Sequence, residues 1–157
     1  HFTAKPTAAP TIRPSMTQKP SVSTGDYTTL STARQEEIVF QLLNMDRQKN
    51  GLSPLPLDPE LSRIARIKSQ DMKDNRYFAH ESPTFGRAPQ MLTHFGYAYN
   101  GVGENIAHHS TAEKAEAAFM SSWGHRINIL GKQWTKVGIG VVYDNQGYLY
   151  ITQLFVR

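Results

Sequence analysis

Val137-Gly138-Ile139-Gly140-Val141-Val142-Tyr143-Asp144-Asn145-Gln146-Gly147-Tyr148-Leu149-Tyr150-Ile151-Thr152 is where the chain changes period. Val137, Ile139 and Val141, then Tyr148, Tyr150 and Thr152, recur at every second position, as side chains on one face of a strand do. Asp144-Asn145-Gln146-Gly147 between the two runs is a hairpin turn signal. Upstream the apolar spacing is helical. Ile38, Val39, Leu42, Leu43 and Met45 form one stripe, opened by a capping box of Thr32 and Gln35 and ended by Gly51. Asp58-Pro59 starts a second helix, with Leu61, Ile64, Ala65, Lys68 and Met72 on one face as far as about Asn75. A short third helix fits 88–95, stopped by Gly96. Ser110 with Glu113 opens a fourth, through Ala115, Ala118, Phe119 and Ser122. Helices followed by a closing antiparallel hairpin specify an α+β sandwich.

Composition bounds the rest. The length of 157 residues suits one domain with an appendage. The absence of cysteine excludes disulfides, thiolate metal sites and cysteine nucleophiles. No apolar run reaches the 18 or so residues of a spanning helix, so the chain is not expected to span a membrane. A net charge of +4, without a dense Lys/Arg stripe carrying interleaved aromatics, argues against nucleic acid as a partner. A start at His1 rather than Met reads as a mature or trimmed chain. Residues 1–30 hold Pro6, Pro10, Pro14 and Pro20 among Thr and Ser, and bury too little apolar area to offset ordering entropy. They are expected to be an extended linker or stalk, dispensable for folding of a domain at 31–157. Nothing in the sequence sets an oligomeric state.

Three polar clusters stand in apolar surroundings: Tyr77-Phe78-Ala79-His80-Glu81-Ser82-Pro83, Gly103-Glu104-Asn105-Ile106-Ala107 and Gly124-His125-Arg126-Ile127-Asn128-Ile129-Leu130. Polar groups held against apolar surface need partners, because unpaired burial costs about 1–3 kcal/mol each. His80, Glu104 and His125 satisfy one another most simply in a single site, within about 8 Å, a span that one metal or a water network bridges. Two imidazoles and a carboxylate suit either a divalent metal or proton transfer. Arg126 and Asn128 read either as ligand contacts or as ties to backbone carbonyls, and the second reading is preferred. His108-His109 reads as a solvated loop pair, His94 as packed or solvated. Trp123, Phe119, Trp134 and the aromatics of 148–155 read as core. Ser82 and Ser122 become nucleophile candidates only where a histidine approaches them. No HExxH, GxSxG, Walker or GxGxxG motif occurs.

On these clusters, together with Leu43-Asn44-Met45-Asp46-Arg47, Pro54-Leu55-Pro56-Leu57-Asp58-Pro59-Glu60-Leu61, Val137-Gly138-Ile139-Gly140 and Thr152-Gln153-Leu154-Phe155, the chain resembles the CAP superfamily: cysteine-rich secretory proteins, antigen 5 and pathogenesis-related proteins. The likeness is to the bacterial, cysteine-free, SCP-like branch, and runs from about Arg34 to Phe155. It implies a three-layer α-β-α sandwich with a central cleft, lined in eukaryotic members by two His and two Glu. His80, Glu104 and His125 match three of these. Ser122 stands where the second Glu falls. Trp123 and Phe119 depart from the Pro and Trp usual in bacterial relatives. The resemblance further implies an extracellular or cell-envelope location, and a binding module for a lipid, an envelope component or another small ligand. The candidate cleft residues are His80, Glu104, Asn105, His125, Arg126 and Asn128, with His80 and His125 as ligands if zinc is held. A hydrolase using His80, Glu104 and His125 is the alternative, and a structural or adhesive envelope protein the third reading.

Overall fold

Ser31 caps α1 (Thr32–Lys49), its side chain accepting from the Arg34 amide, one residue before the expected cap. The computed structural model describes residues 29–157. The linker expectation for 1–30 thus lies outside the described residues, apart from Thr29 and Leu30. Asp58 caps α2 (Pro59–Asp74) by accepting from the Glu60 and Leu61 amides. α3 is Ala88–His94. α4 (Ala112–Ser121) is capped by Thr111, again one residue from the expected position. The described residues also hold α5 (Trp123–Ile129) and three strands: β1 (Val102–His109), β2 (Lys136–Tyr143) and β3 (Leu149–Val156).

The three strands form one antiparallel sheet in the order β1-β3-β2. Helices cover both of its faces, which gives the three-layer α+β sandwich. On one side Val39, Leu43, Phe119 and Ile129 of α1, α4 and α5 pack on Val137, Ile139, Val141, Ile151 and Phe155. On the other, Leu61, Ile64 and Ala65 of α2 and Met91 and Leu92 of α3 pack on Leu154 and Val156. The alternation read from the hairpin sequence is what divides these two sets between the faces. The approach of α2 is unusually close. A Cβ at Gly138 would strike the Leu61 backbone, and one at Gly140 the backbone of Ala65 and Arg66. Ser69 Oγ bonds the Gly140 carbonyl at 2.9 Å across the same contact.

Several readings are corrected. Val102–His109 is a strand, not loop, so Glu104 and the His108-His109 pair lie in the sheet. Trp123 is 77% exposed and Tyr148 46%, so neither is core, and Met45 leaves the α1 stripe for solvent.

Candidate functional site

Two elements bring the histidines together from opposite layers. His80 follows α2 in the 77–83 loop. Lys68 of α2, which is 1% exposed, donates from Nζ to the carbonyls of Ala79 at 2.8 Å and His80 at 3.0 Å. A buried ammonium that fixes two carbonyls holds the loop at the point where the imidazole leaves it. Burial lowers the Lys68 pKa, while Glu104 and Asp71 act to raise it. Asp71 secures the rest of the loop through Ser82 Oγ at 2.6 Å and through Tyr77 Oη. Burial, followed by that hydrogen bond, raises the Tyr77 pKa.

His80 Nδ1 lies 2.8 Å from Glu104 Oε1 of β1. The carboxylate accepts, so Nδ1 carries the proton and Nε2 remains for the cleft. Glu104 is almost wholly covered, and its Oε2 has no partner among the described residues. His125, in the first turn of α5, has its Nδ1 2.8 Å from Ser122 Oγ. Ser122 stands at the N-cap of α5, where a serine hydroxyl ordinarily accepts a backbone N–H, yet it makes no capping bond. Its hydroxyl faces the imidazole Nδ1 instead, and the tautomer of His125 sets which of the two donates. Burial lowers the His125 pKa, and the neighbouring His80 adds to this, so His125 is neutral over a wider pH range than a free imidazole.

The cleft between them measures about 430 Å³. His80, Phe78 and Ala79 form one wall; Ala118, Phe119, Ser122 and His125 form the other. Its floor is the outer edge of β1 at Ile106, Ala107, His108 and His109. His108 stacks on Tyr150 with ring centroids 4.0 Å apart, and its Nε2 lies 2.6 Å from Asp144 Oδ2. The sequence reading missed His108 and Phe78 as cleft residues. No period-two pattern within 102–109 marked His108.

Asn105, Arg126 and Asn128 are not brought to the cleft. Asn105 is fully buried behind it, donating to the His125 carbonyl at 3.1 Å and to Gln153 Oε1 at 3.1 Å. Asn128 donates to Asn105 Oδ1 at 2.9 Å and to the Glu104 carbonyl at 3.3 Å. These amides tie β1 to α5. Arg126 reaches the Met120 carbonyl and Asn50. Gln153 leads to a group that sequence reasoning passed over: Glu116 of α4, 5% exposed, beside Asp46 and with neither oxygen hydrogen-bonded among the described residues. Burial, then Asp46, pushes its pKa up to about 8. Its place four residues after Ala112 and three before Phe119, on the buried stripe, was the signal in the sequence. Among the described residues no group of three or more His, Asp or Glu is arranged to hold a metal ion.

Residues 40–155 match the model of the CAP family, described as the cysteine-rich secretory protein family. The Bacillus subtilis protein YkwD is 46% identical over 127 residues, covering 80% of this chain and 48% of that protein. The crystal structure of an extracellular protein containing an SCP domain from Bacillus anthracis is 37% identical with a TM-score of 0.74, over 80% of this chain and 41% of that one. An outer surface protein of Borrelia burgdorferi has the same fold at 20% identity, TM-score 0.74, over 82% of this chain and 96% of that one. The chain spans less than half the length of YkwD and of the B. anthracis protein.

Proposed function

The chain belongs to the cysteine-rich secretory protein (CAP) family, and from that membership we propose that it is an extracellular or envelope-associated binding module. Its cleft takes a small ligand with an apolar body and a polar head, of the kind a lipid or other envelope component supplies. One observation carries this reading. The imidazoles of His80 and His125, each with Nδ1 already engaged, line an open cavity whose apolar lining is Phe78, Ala79, Ile106, Ala107, Ala118 and Phe119, with His108, His109 and Ser122 its other polar residues. A few placed polar groups on an apolar wall are what small-molecule sites use for orientation. Among the described residues no helix is long and apolar enough to cross a membrane. Dodecanoate is the probe. Its titration is expected to shift the NMR signals of Ile106, Ala118, His80 and His125, and Ala118→Trp, which fills the cavity, is expected to abolish the shifts while the protein stays folded. Unchanged spectra, or binding that survives Ala118→Trp, would defeat the reading.

Zinc fits this donor set poorly as a resident ion. The chain offers two imidazole Nε2 atoms, fewer than the three protein ligands of an open zinc site, and Glu104 is committed to orienting His80. Zinc titration is expected to show binding no tighter than about micromolar, roughly −8 kcal/mol. Binding should weaken as pH falls through the imidazole range, and further on His80→Ala or His125→Ala.

The Ser122–His125 bond supports a second reading, hydrolysis with His80 and Glu104 alongside. A fluorophosphonate tests it. Attack by Ser122 Oγ on phosphorus would expel fluoride as the proton passes to His125. Peptide mass spectrometry showing Ser122 unlabelled would remove the idea.

A further inference from the structure

The sheet has two outer edges, and the unpaired stretch on β1 is the one that lines the cleft. Gly101 and Arg157 exchange both backbone hydrogen bonds, Gly101 N–H to the Arg157 carbonyl at 3.2 Å and Arg157 N–H to the Gly101 carbonyl at 3.0 Å. In an antiparallel ladder such pairs alternate with pairs whose amides and carbonyls point away from the partner strand. With Val102 opposite Val156, the register turns residues 103, 105, 107 and 109 toward β3 and residues 102, 104, 106 and 108 outward. The Glu104 carbonyl confirms the phase, since it accepts from Asn128 on the side away from β3.

The same rule orients β2, and there the outward groups of Val137 and the outward amide of Ile139 are covered, while those of Val141 find no partner among the described residues. Val137 N–H donates to the Pro56 carbonyl at 3.0 Å, the Val137 carbonyl accepts from Asp58 N–H at 2.9 Å, and Ile139 N–H donates to Ser62 Oγ at 3.1 Å. On β1 the outward amides and carbonyls of Ile106 and His108 find no partner among the described residues. Both residues form the floor of the cleft. A row of unpaired donors and acceptors two residues apart is the template for one more strand.

We propose that the outer edge of β1 at Ile106 and His108 binds an extended polypeptide segment by strand addition, with the segment running through the cleft between His80 and His125. A segment about 4.8 Å from β1 in the hydrogen-bonding direction would satisfy these groups. Recognition is then by main chain, with alternate side chains facing the Phe78 wall and the Phe119 wall. This site uses the backbone of β1, whereas the small-ligand reading uses the imidazoles and apolar walls, so the two are separable.

The probe is acetyl-Thr-Val-Ser-Val-Thr-amide, beside the same peptide N-methylated at alternate residues. Added to the parent protein, the first peptide is expected to slow amide exchange at Ile106 and His108 at least tenfold, and the methylated peptide to leave it unchanged. Ile106→Pro removes an outward N–H while sparing the bonds to β3, the position at which an edge strand accepts proline. It should lose peptide binding by tenfold or more. Unchanged exchange at Ile106 and His108, equal effects of the methylated peptide, or full peptide binding by folded Ile106→Pro would each overturn the proposal. If Ile106→Pro does not fold, the methylated peptide on the parent decides. Absence of dodecanoate binding to the parent protein, with peptide binding present, would defeat the small-ligand reading alone.

Discussion

The β2 side and the β1 side of one small sheet face opposite demands. Along β2 the first half of the edge is covered: the chain at 56–58 pairs with Val137, Ser62 accepts from the Ile139 amide, and two glycines let α2 seat directly on the strand. Along β1 the backbone is left open, and polar side chains stand where apolar ones would pack: His80, Glu104, His108 and His125. Stability is concentrated on the closed side and chemistry on the open one.

The largest expected effect is on the closed side. Gly140→Ala places a methyl in the backbone of Ala65 and Arg66 and is expected to cost about 3 kcal/mol or more in denaturant unfolding. His109→Ala, at the half-buried end of β1, should stay within about 0.5 kcal/mol. Equal costs at the two would break the contrast. Next comes Lys68→Met, which leaves the Ala79 and His80 carbonyls without their donor. About 2–3 kcal/mol of stability should go with it, and amide exchange should rise across 77–83 before it rises in β2.

Glu116 gives a middle-sized effect with a definite sign. Its folded pKa, about 8, lies above that of an unfolded glutamate. Its contribution is therefore complete below the ordinary carboxylate range and is lost as pH climbs toward 8, at up to about 1.4 kcal/mol per pH unit. His125 runs the other way: its folded pKa is lowered, so its contribution is present above the ordinary imidazole pKa and lost as pH falls. Between pH 5 and 8 the falling slope of the stability curve should be lost in Glu116→Gln. An unaltered slope over that range would show that the carboxyl ionises without cost. The smallest effect sharpens the open side only. His80→Ala removes a group that depresses the His125 pKa, so NMR titration should find that pKa moved upward.

Where packing decides structure, the sequence was legible. The α2 stripe with Lys68 on it, the Asp58 cap and the β2–β3 hairpin all follow from local periodicity, and burial agrees with them. β1 was illegible for the reason that makes it interesting. Gly103, Glu104, Asn105, His108 and His109 put polar or small groups on both of its faces, because one face meets the His80 loop, the other meets α5, and the edge opens to the cleft. Period-two reasoning needs one apolar face, and β1 has none. α5 failed differently. At seven residues, with its N-cap serine turned to an imidazole, it carries no stop or start signal. Glu104 and His80 were placed in one site because unpaired burial is costly, and their hydrogen bond at 2.8 Å is the form that argument took.

The glycine seat of α2 has a consequence at the far end of that helix. α2 carries Lys68, and Lys68 sets where Ala79 and His80 leave the loop. The helix takes its distance from the sheet at Gly138 and Gly140, with no intervening side chain to compress or repack. His80 is therefore gauged from behind, as a tool is gauged from a hard stop. Small positional errors at the stop would travel along the rigid helix to the imidazole, while those in the surface loops would not. Tolerance to substitution should accordingly be tightest at two glycines that touch neither the cleft nor anything bound in it.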